Sequence, residues 1–249
     1  MGDLRSSLKN LPEYKNEKNQ HMKLTVVVTV FNERNTILKA IEEAKKIEIE
    51  KEIIVVDNCS TDGTQDILQD ILKKKEFSSI RVVYHSYNKG KGESVKEGIH
   101  ESKGEFVVIQ DADLEYDPRE YLNLMKPLLE NRADIALGAR FISGHSGLML
   151  HRLGNKFLTG FLNFVFATRL NDYATCYKMA RRDVFLNLGL KSQSFDIEVE
   201  IICKALKNHL RIAEVPISYY PRSYAQGKKI RWFDGFQAII SILKYRFIK

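Results

Sequence analysis

The sequence predicts an α/β fold: a mostly parallel, Rossmann-like central sheet flanked by helices. Short apolar runs rich in β-branched residues recur along the first half of the chain, as is typical of strands buried on both faces. Segments with apolar residues at helical spacing lie between these runs, and a polar cluster follows each run. Such strand–helix alternation indicates right-handed βαβ crossovers, and ligands bind these sheets at the carboxyl ends of the strands.

Four strands are predicted in the first half, over residues 24–30, 53–56, 80–84 and 106–110. The helices between them carry apolar faces that include Ile37, Ile67 and Val95. Because the carboxyl ends of parallel strands share one edge of a sheet, we expect the polar residues after each strand to meet there. They are Asn32 and Glu33, Asp57, residues 88–90, and Asp111 with Asp113.

Asp111 and Asp113 follow the fourth strand. Alternate residues of an extended chain point the same way, so the two carboxylates can converge on one point. Mg²⁺ is typically bound by one or two carboxylates plus substrate phosphates. A turn whose backbone is capped by these aspartates explains the two residues, taken alone, equally well.

The second half is predicted to contain further strands and helices. They are, in order, a helix opened by Pro118, a strand over 134–138, an apolar and aromatic helix over 148–167, a strand-like piece over 172–179, a short helix after Arg182, a helix from Ser194, a strand over 212–219 and a helix from about Phe233. The 148–167 helix fits either the core or a membrane interface. Pro216 places its strand at a sheet edge, because proline cannot donate to a neighbouring strand.

Composition narrows the class of protein. The chain has 249 residues, 44% hydrophobic and 29% charged, which is ordinary for a globular protein. Its three widely spaced cysteines argue for a reducing compartment and against a disulfide framework or a zinc site. The phosphate-binding motifs G-x-G-x-x-G after the first strand and G-x-x-x-x-G-K-[ST] are both absent. Residues 1–22 are polar and predicted to form a flexible tail, which leaves 23–249 as the folded domain.

Positive charge is concentrated near the end of the chain. The net charge is +7, and residues 222–249 carry seven Lys or Arg against one acid. A basic segment of this kind indicates an anionic partner. No RNA-binding signature accompanies it, and acids at the sheet edge would repel nucleic-acid phosphates, so we expect no nucleic-acid partner.

The motifs at residues 30–33, 55–64, 88–92 and 111–114 resemble those of family 2 inverting glycosyltransferases. The second half is similar to polyprenyl-phosphate sugar synthases of the dolichyl-phosphate mannose or glucose type. The residues that carry this second similarity are 138–141, 172–178, 195–198, 214–216, Arg222 and 227–230. Together the two resemblances cover about residues 22–247.

The resemblance implies a single domain with the A-type glycosyltransferase fold, acting as a hexosyltransferase on a nucleotide-sugar of the GDP-mannose or UDP-glucose type. The implied nucleotide-sugar pocket consists of Val30, Phe31, Asn32, Glu33, Asp57, Lys89, Gly90, Asp111 and Ala112, with Asp57 accepting hydrogen bonds from the base. Asp111, catalytic Asp113 and Glu115 would hold Mg²⁺ or Mn²⁺ against the diphosphate.

The resemblance leaves two acceptors open. A polyprenyl phosphate is already deprotonated and needs cationic groups to bind it, for which the candidates are Arg140, Arg152, Arg222 and Lys229. A glycan or protein hydroxyl would need a base, and Asp196 is the candidate. The helix dipole alone also explains acids such as Asp196 at a helix start.

A lipid acceptor would require the enzyme to reach a membrane surface. We expect peripheral association with the cytoplasmic face through the basic, amphipathic final helix and the aromatic residues between Phe157 and Phe166.

Overall fold

In the computed structural model of the chain, which describes residues 23–142, 149–222 and 232–247, seven strands form one sheet. They are β1 (Leu24–Val30), β2 (Lys51–Asp57), β3 (Ile80–Tyr84), β4 (Phe106–Asp111), β5 (Ile135–Ala139), β6 (Lys178–Arg181) and β7 (Ile212–Pro216). Their order across the sheet is β3-β2-β1-β4-β6-β5-β7. Neighbouring strands run parallel except β6, which is antiparallel to both β4 and β5.

Helices surround this sheet. The α-helices of the described residues are α1 (Ile37–Lys46), α2 (Thr64–Leu72), α3 (Lys91–Glu101), α4 (Tyr121–Leu129), α5 (Met149–Phe166), α6 (Arg182–Asn187), α7 (Ile197–Lys207) and α8 (Trp232–Phe247). Short 3₁₀ helices cover Lys75–Phe77 and Pro118–Glu120. Helix α3 packs on β1 and β2, α4 packs on β5, β6 and β7, and α5, α7 and α8 pack together.

The centre of the sheet is the hydrophobic core. Every residue of β1 is buried, as is every residue of β5. Because both faces of these strands are covered, their sequences are continuously apolar rather than alternating. This explains why strands such as β1 could be predicted. The predicted single-domain α/β fold with a mostly parallel sheet is confirmed.

Two predictions in the second half have different outcomes. The edge position expected from Pro216 is confirmed, since β7 is the outermost strand and ends at that proline. The strand-like piece over 172–179 was wrong, because strand β6 begins only at Lys178. The preceding segment is held by side-chain contacts: Glu214 accepts hydrogen bonds from the backbone N–H groups of Asn171 and Asp172.

Helix α5 confirms the apolar helix expected over 148–167, with one side packed and another exposed. Leu162 is fully buried, whereas Phe164 is 85% exposed. Among the described residues, no helix combines the length and the apolar character needed to cross a bilayer. The predicted tail over residues 1–22 lies outside the described residues.

Candidate active site

The polar residues after the first four strands meet at one edge of the sheet, as the sequence predicts. Asp57 ends β2 and is the register partner of Val30 and of Tyr84, the last residues of β1 and β3. Asp111 ends β4 and is the partner of Thr29. Because the four strands end at nearly the same level, the loops that follow them all begin at the same edge of the sheet.

The loops after β1 and β2 are joined through Asn32. Its backbone N–H donates to the Ser60 hydroxyl at 2.9 Å, and its Oδ1 accepts from the Thr61 N–H at 2.8 Å. Asn32 has a φ of 51°, a left-handed conformation that asparagine adopts more readily than most residues. The backbone N–H of Glu33 also donates to the Thr64 hydroxyl, at 3.0 Å. These hydrogen bonds hold the two loops against each other.

Asp57 has one partnered and one unpartnered carboxylate oxygen. Its Oδ2 accepts from the Ser60 N–H at 3.1 Å and from Gln65 Nε2 at 2.7 Å. Its Oδ1 is buried and has no hydrogen-bond partner among the residues that the structure describes. A buried acceptor without a partner is uncommon and indicates a place for a donor group of a ligand.

The 88–90 loop after β3 is held by Asn58. The Asn58 Oδ1 accepts from the Lys89 N–H at 2.8 Å, and its Nδ2 donates to Asn88 Oδ1, also at 2.8 Å. Gly90, with a φ of 90°, lies so close to the next layer that a Cβ there would be 2.1 Å from the Gln193 carbonyl oxygen. Lys89 and Gly90, both predicted to line the nucleotide-sugar pocket, therefore belong to a tightly packed turn at the sheet edge.

Asp111 is neutralised by a lysine that the sequence analysis did not select. Lys91 Nζ lies 2.9 Å from Asp111 Oδ2 and 2.9 Å from Glu198 Oε1, while the Thr29 hydroxyl donates to Asp111 Oδ1 at 3.1 Å. Fully buried Lys178 contacts the other oxygen of Glu198. Among the described residues, two lysines and two carboxylates thus form a partly buried cluster in which the charges are equal and opposite.

A signal for two of these missed residues was present in the sequence. Lys178 interrupts an apolar run, and a buried charge requires a partner. Lys91 lies between two glycines at the start of a predicted helix, but spacing alone does not tell which lysine of that turn points inward.

A second cluster surrounds Arg222. Its guanidinium binds Glu33 through two contacts of 2.8 and 3.2 Å and reaches Asp113 Oδ2 at 3.3 Å. Its backbone N–H donates to Glu115 Oε1 at 2.9 Å, and the Tyr219 hydroxyl donates to Glu115 Oε2 at 2.8 Å. Among the described residues, three carboxylates lie around this one guanidinium.

The neighbouring carboxylates affect the pKa of Asp113. Burial, together with the carboxylates of Asp111 and Glu115, raises the pKa of Asp113 to about 7, and Arg222 opposes the rise. A divalent cation would relieve the same repulsion, and a donor set made only of carboxylate oxygens suits Mg²⁺ or Mn²⁺. In the described part of the chain, no three His, Cys, Asp or Glu residues are arranged to hold an ion by themselves. The predicted ligands Asp111, Asp113 and Glu115 do not form such a group, and their role in binding a metal stays a prediction.

The residues predicted to bind an acceptor phosphate lie in different surroundings. Arg140 binds buried Asp172 through contacts of 2.7 and 2.8 Å, an ion pair that explains this arginine without a phosphate. Arg152 is exposed, with its guanidinium 5.9 Å from the Phe141 ring centroid. Arg222 lies among the carboxylates, and Lys229 lies outside the described residues.

Asp196 and Glu198 point to different partners. The Asp196 carboxylate accepts a hydrogen bond from the Ser192 hydroxyl, whereas Glu198 reaches the lysine beside Asp111. Glu198 is thus the acid of this segment that joins the cluster at the end of β4.

Comparison with known proteins gives a consistent result. The sequence profile described as glycosyl transferase family 2 matches residues 25–189. The glycosyltransferase AglJ of Haloferax volcanii is 29% identical over 79% of this chain and 63% of its own length. The low-salt glycan biosynthesis hexosyltransferase Agl6 of the same organism is 28% identical over 80% of this chain and 48% of its own length. The chain therefore spans only about half to two thirds of these relatives.

Among solved structures, a similar fold is found in glucosyl-3-phosphoglycerate synthase from Mycobacterium tuberculosis. Its crystal structure in complex with Mn²⁺, uridine diphosphate and phosphoglyceric acid superposes with a TM-score of 0.69. The two chains are 19% identical, and the match covers 92% of this chain and 80% of the other. At this identity the likeness shows the fold, an α/β domain with a mostly parallel sheet.

Proposed function

The chain belongs to glycosyl transferase family 2, and from this premise we propose that it transfers a hexose, with inversion, from a nucleotide-sugar to a polyprenyl phosphate. The donor is of the GDP-mannose or UDP-glucose type, and the reaction depends on Mg²⁺ or Mn²⁺. On this proposal residues 23–249 act as one catalytic domain, with the basic helix α8 near its end.

The buried Asp57 Oδ1 is the observation that carries the donor half. Uracil and guanine both present a ring N–H next to a carbonyl group. This N–H would donate a hydrogen bond to Asp57 Oδ1. Asn32, Glu33 and the 88–90 loop surround the same edge of the sheet, where ligands of parallel α/β sheets bind.

The acids at the end of β4 support the role of a metal. Asp111 and Asp113 would hold a divalent cation, which when bound neutralises the negative charge that develops on the leaving diphosphate. Lys91 already contacts Asp111 and adds a positive charge at the same place. The Mn²⁺ and uridine diphosphate in the crystal structure of the mycobacterial synthase are in keeping with this arrangement.

An exposed apolar surface supports the lipid acceptor. Helices α5 and α8 lie side by side, since Arg246 Nε donates to the Val165 carbonyl oxygen at 3.2 Å. Their outer residues form what we call the apolar face: Leu153, Phe157, Phe164, Phe236, Ile240, Leu243 and Phe247, all exposed. Seven exposed apolar side chains on two adjacent helices are suited to a membrane interface.

Basic residues flank the apolar face. Lys156 lies on α5, and Lys244 and Arg246 lie in the last turn of α8. Each basic residue near an anionic lipid surface contributes about 1 kcal/mol to binding. We propose that the protein docks peripherally on the cytoplasmic face of a membrane and receives its lipid phosphate there.

The test is a transfer assay. The protein is incubated with Mn²⁺ or Mg²⁺, radiolabelled UDP-glucose or GDP-mannose, and undecaprenyl or dolichyl phosphate. We expect label in the organic phase, lost on chelation with EDTA and lost in Asp113→Asn. Transfer to a water-soluble glycan hydroxyl, with none to the lipid, would contradict the lipid acceptor and favour the alternative in which Asp196 acts as a base.

A further inference from the structure

Lys178 is a fully buried lysine in the interior of the sheet. It begins β6 and is the register partner of Ile109 on β4 and of Leu137 on β5. Its Nζ contacts one oxygen of Glu198 and the Thr175 carbonyl oxygen. A buried ion pair is seldom more stabilising than a well-packed apolar pair, so stability alone does not account for a lysine at this position.

The Glu198 carboxylate connects this lysine to the candidate active site. Its other oxygen lies 2.9 Å from Lys91 Nζ. Lys91 in turn donates a hydrogen bond to Asp111 Oδ2 at 2.9 Å. Positive and negative groups therefore alternate from the interior of the sheet to the end of β4, in the order Lys178, Glu198, Lys91 and Asp111. We call these four residues the charge row.

Lys91 interacts unequally with its two carboxylates. Its hydrogen bond goes to Asp111, whereas Glu198 Oε1 has no hydrogen-bond partner among the residues that the structure describes. Glu198 is thus near enough to attract the ammonium, but the ammonium is directed at Asp111. Burial disfavours the charged form of Lys91, yet Asp111 and Glu198 outweigh it and raise the pKa of Lys91 well above its usual value.

Lys178 limits the pull of Glu198 on Lys91. One carboxylate between two ammonium groups divides its attraction between them, and such attractions are stronger inside a protein than in water. Without the charge of Lys178, the whole carboxylate would act on Lys91 and its second oxygen would lack a partner. The nearest ammonium that could satisfy it is that of Lys91, which would then leave Asp111.

We propose that Lys178 is a positioning residue for nucleotide-sugar binding. By occupying Glu198, it leaves the Lys91 ammonium at Asp111, where this ammonium can bind the diphosphate of the donor. The role deepens the proposed function and rests on it, because Lys91 meets a diphosphate only if a nucleotide-sugar binds at the end of β4. Lys178 is itself fully buried, so its effect on the ligand passes through Glu198 and Lys91.

The experiment measures UDP and GDP affinity by calorimetry, with Mn²⁺ present, in the full chain. It compares the wild type, Lys178→Met, Lys91→Met and the double variant, since methionine keeps the length of the side chain and removes its charge. Lys178→Met should weaken affinity roughly tenfold, the effect of losing one hydrogen bond to a charged group. In the Lys91→Met background the same replacement should cost no further affinity, because Lys178 acts through Lys91. A full loss in that background, or no loss in Lys178→Met alone, would overturn the role.

Lys204→Met is the matched control. Lys204 Nζ lies 2.7 Å from fully buried Glu200, also on α7, and neither residue belongs to the charge row. This variant too removes a lysine from a buried carboxylate of α7, and it should keep the wild-type affinity. Urea denaturation of each variant establishes that the calorimetry is done on folded protein. A loss of affinity as large as that of Lys178→Met would show that any disturbance of α7 weakens binding, and would overturn the role.

A second measurement separates this role from the proposed function. In ligand-free crystal structures of the wild type and Lys178→Met, we expect Lys91 Nζ to lie at Asp111 in the first and to have moved onto Glu198 in the second. An unmoved Lys91 would overturn the role even if nucleotide affinity falls. If neither nucleotide binds the wild type, the proposed function fails and the role in nucleotide binding falls with it. The position of Lys91 then still decides whether Lys178 holds this lysine at Asp111.

Discussion

Asp57 and Asp172 are both fully buried aspartates, yet their surroundings differ in kind. Asp172 receives Arg140, the Arg140 backbone N–H and Asn155, so both of its oxygens are used inside the protein. Asp57 uses one oxygen for Ser60 and Gln65 and leaves the other without a partner in the described residues. We therefore expect Asp172 to serve stability and Asp57 to serve binding.

Replacing Asp57 by asparagine tests the binding role. The amide either breaks the contacts to Ser60 and Gln65 or presents a donor where a base N–H would have to donate. We expect UDP or GDP affinity, measured by calorimetry, to fall by roughly tenfold or more, the effect of leaving one buried polar group unpaired. Asp70→Asn, an exposed aspartate on α2, should bind as the wild type does; equal affinity in Asp57→Asn would contradict the role.

Replacing Asp172 by asparagine tests the structural role. The change leaves the Arg140 guanidinium buried without its counter-charge, which typically costs 3–5 kcal/mol. We expect a loss of about this size in the free energy of unfolding, measured by urea denaturation. Asp134→Asn breaks the surface pair with Arg211 and should cost less than about 1 kcal/mol. Similar small losses in both variants would show that the buried pair is not needed for stability.

At the scale of single residues, the sequence predicted those that directly follow a strand. Asp57, Asp111 and Asp113 follow strands, so their place at the sheet edge follows from strand direction alone. Lys91 and Arg222 could not be assigned their partners in the same way. Their contacts depend on how separate layers pack, as with Arg222 and Glu33, which lie 189 residues apart in the chain.

At the scale of elements, the start of α3 is set by the glycines on either side of Lys91. A Cβ on Gly92 would lie 2.5 Å from the Ser192 carbonyl oxygen, and the Gly92 N–H donates to Gln193 at 2.9 Å. The glycines thus let the beginning of α3 touch the segment that leads into α7. This contact brings Lys91 and Glu198 within reach of each other.

Gly90→Ala tests this packing. The new Cβ would meet the Gln193 carbonyl oxygen, and the residue would keep a φ near 90°, so strain of about 1–3 kcal/mol is expected. We expect a corresponding loss of unfolding free energy and weaker nucleotide binding. Gly160→Ala, on α5 with no atom within 4 Å of the added Cβ, should instead stabilise by about 0.5–1 kcal/mol. Unchanged stability and binding in Gly90→Ala would show that the segments can separate without consequence.

Strands buried on both faces could be predicted from the sequence. A segment whose path depends on contacts with distant parts of the chain could not. The runs of β1 and β4 have no other reasonable position than the middle of a sheet. Residues 172–177 include Tyr173, Thr175 and Tyr177, residue types that are common in strands, but contacts such as Asp172 with Arg140 determine the path of the segment. Those contacts join distant parts of the chain, and no local pattern reports them.

At the scale of the whole molecule, the apolar face lies on helices α5 and α8, while the candidate active site lies at the carboxyl ends of the strands. Helix α7 links the apolar face to the candidate active site. It carries Glu198 at its start and packs against both α5 and α8. Helix α7 therefore contacts the two helices that carry the apolar face and, through Glu198, the lysine beside Asp111.

Membrane docking can be tested on this face. We expect the wild type to sediment with vesicles of phosphatidylglycerol and phosphatidylcholine at low salt and to dissociate as salt screens the basic residues. The double variant Phe157→Ser, Phe164→Ser should bind at least about tenfold more weakly, because each buried Phe side chain contributes roughly 1.5–3 kcal/mol. Leu72→Ser, an exposed apolar residue on α2, is the control. Equal sedimentation of the double variant would place lipid contact elsewhere.

The reversed strand β6 has a consequence for the order in which the chain is made. Residues 106–109 of β4 pair with β6 on one edge, yet β6 leaves the ribosome only after β5 and α5 have been synthesised. Throughout that interval β1, β2 and β4 can already assemble, which leaves an apolar strand with one open edge. Such an edge is a template for pairing with another chain. We therefore expect nascent chains to be most prone to aggregation just before β6 emerges, and to benefit from chaperones or slow translation at that stage.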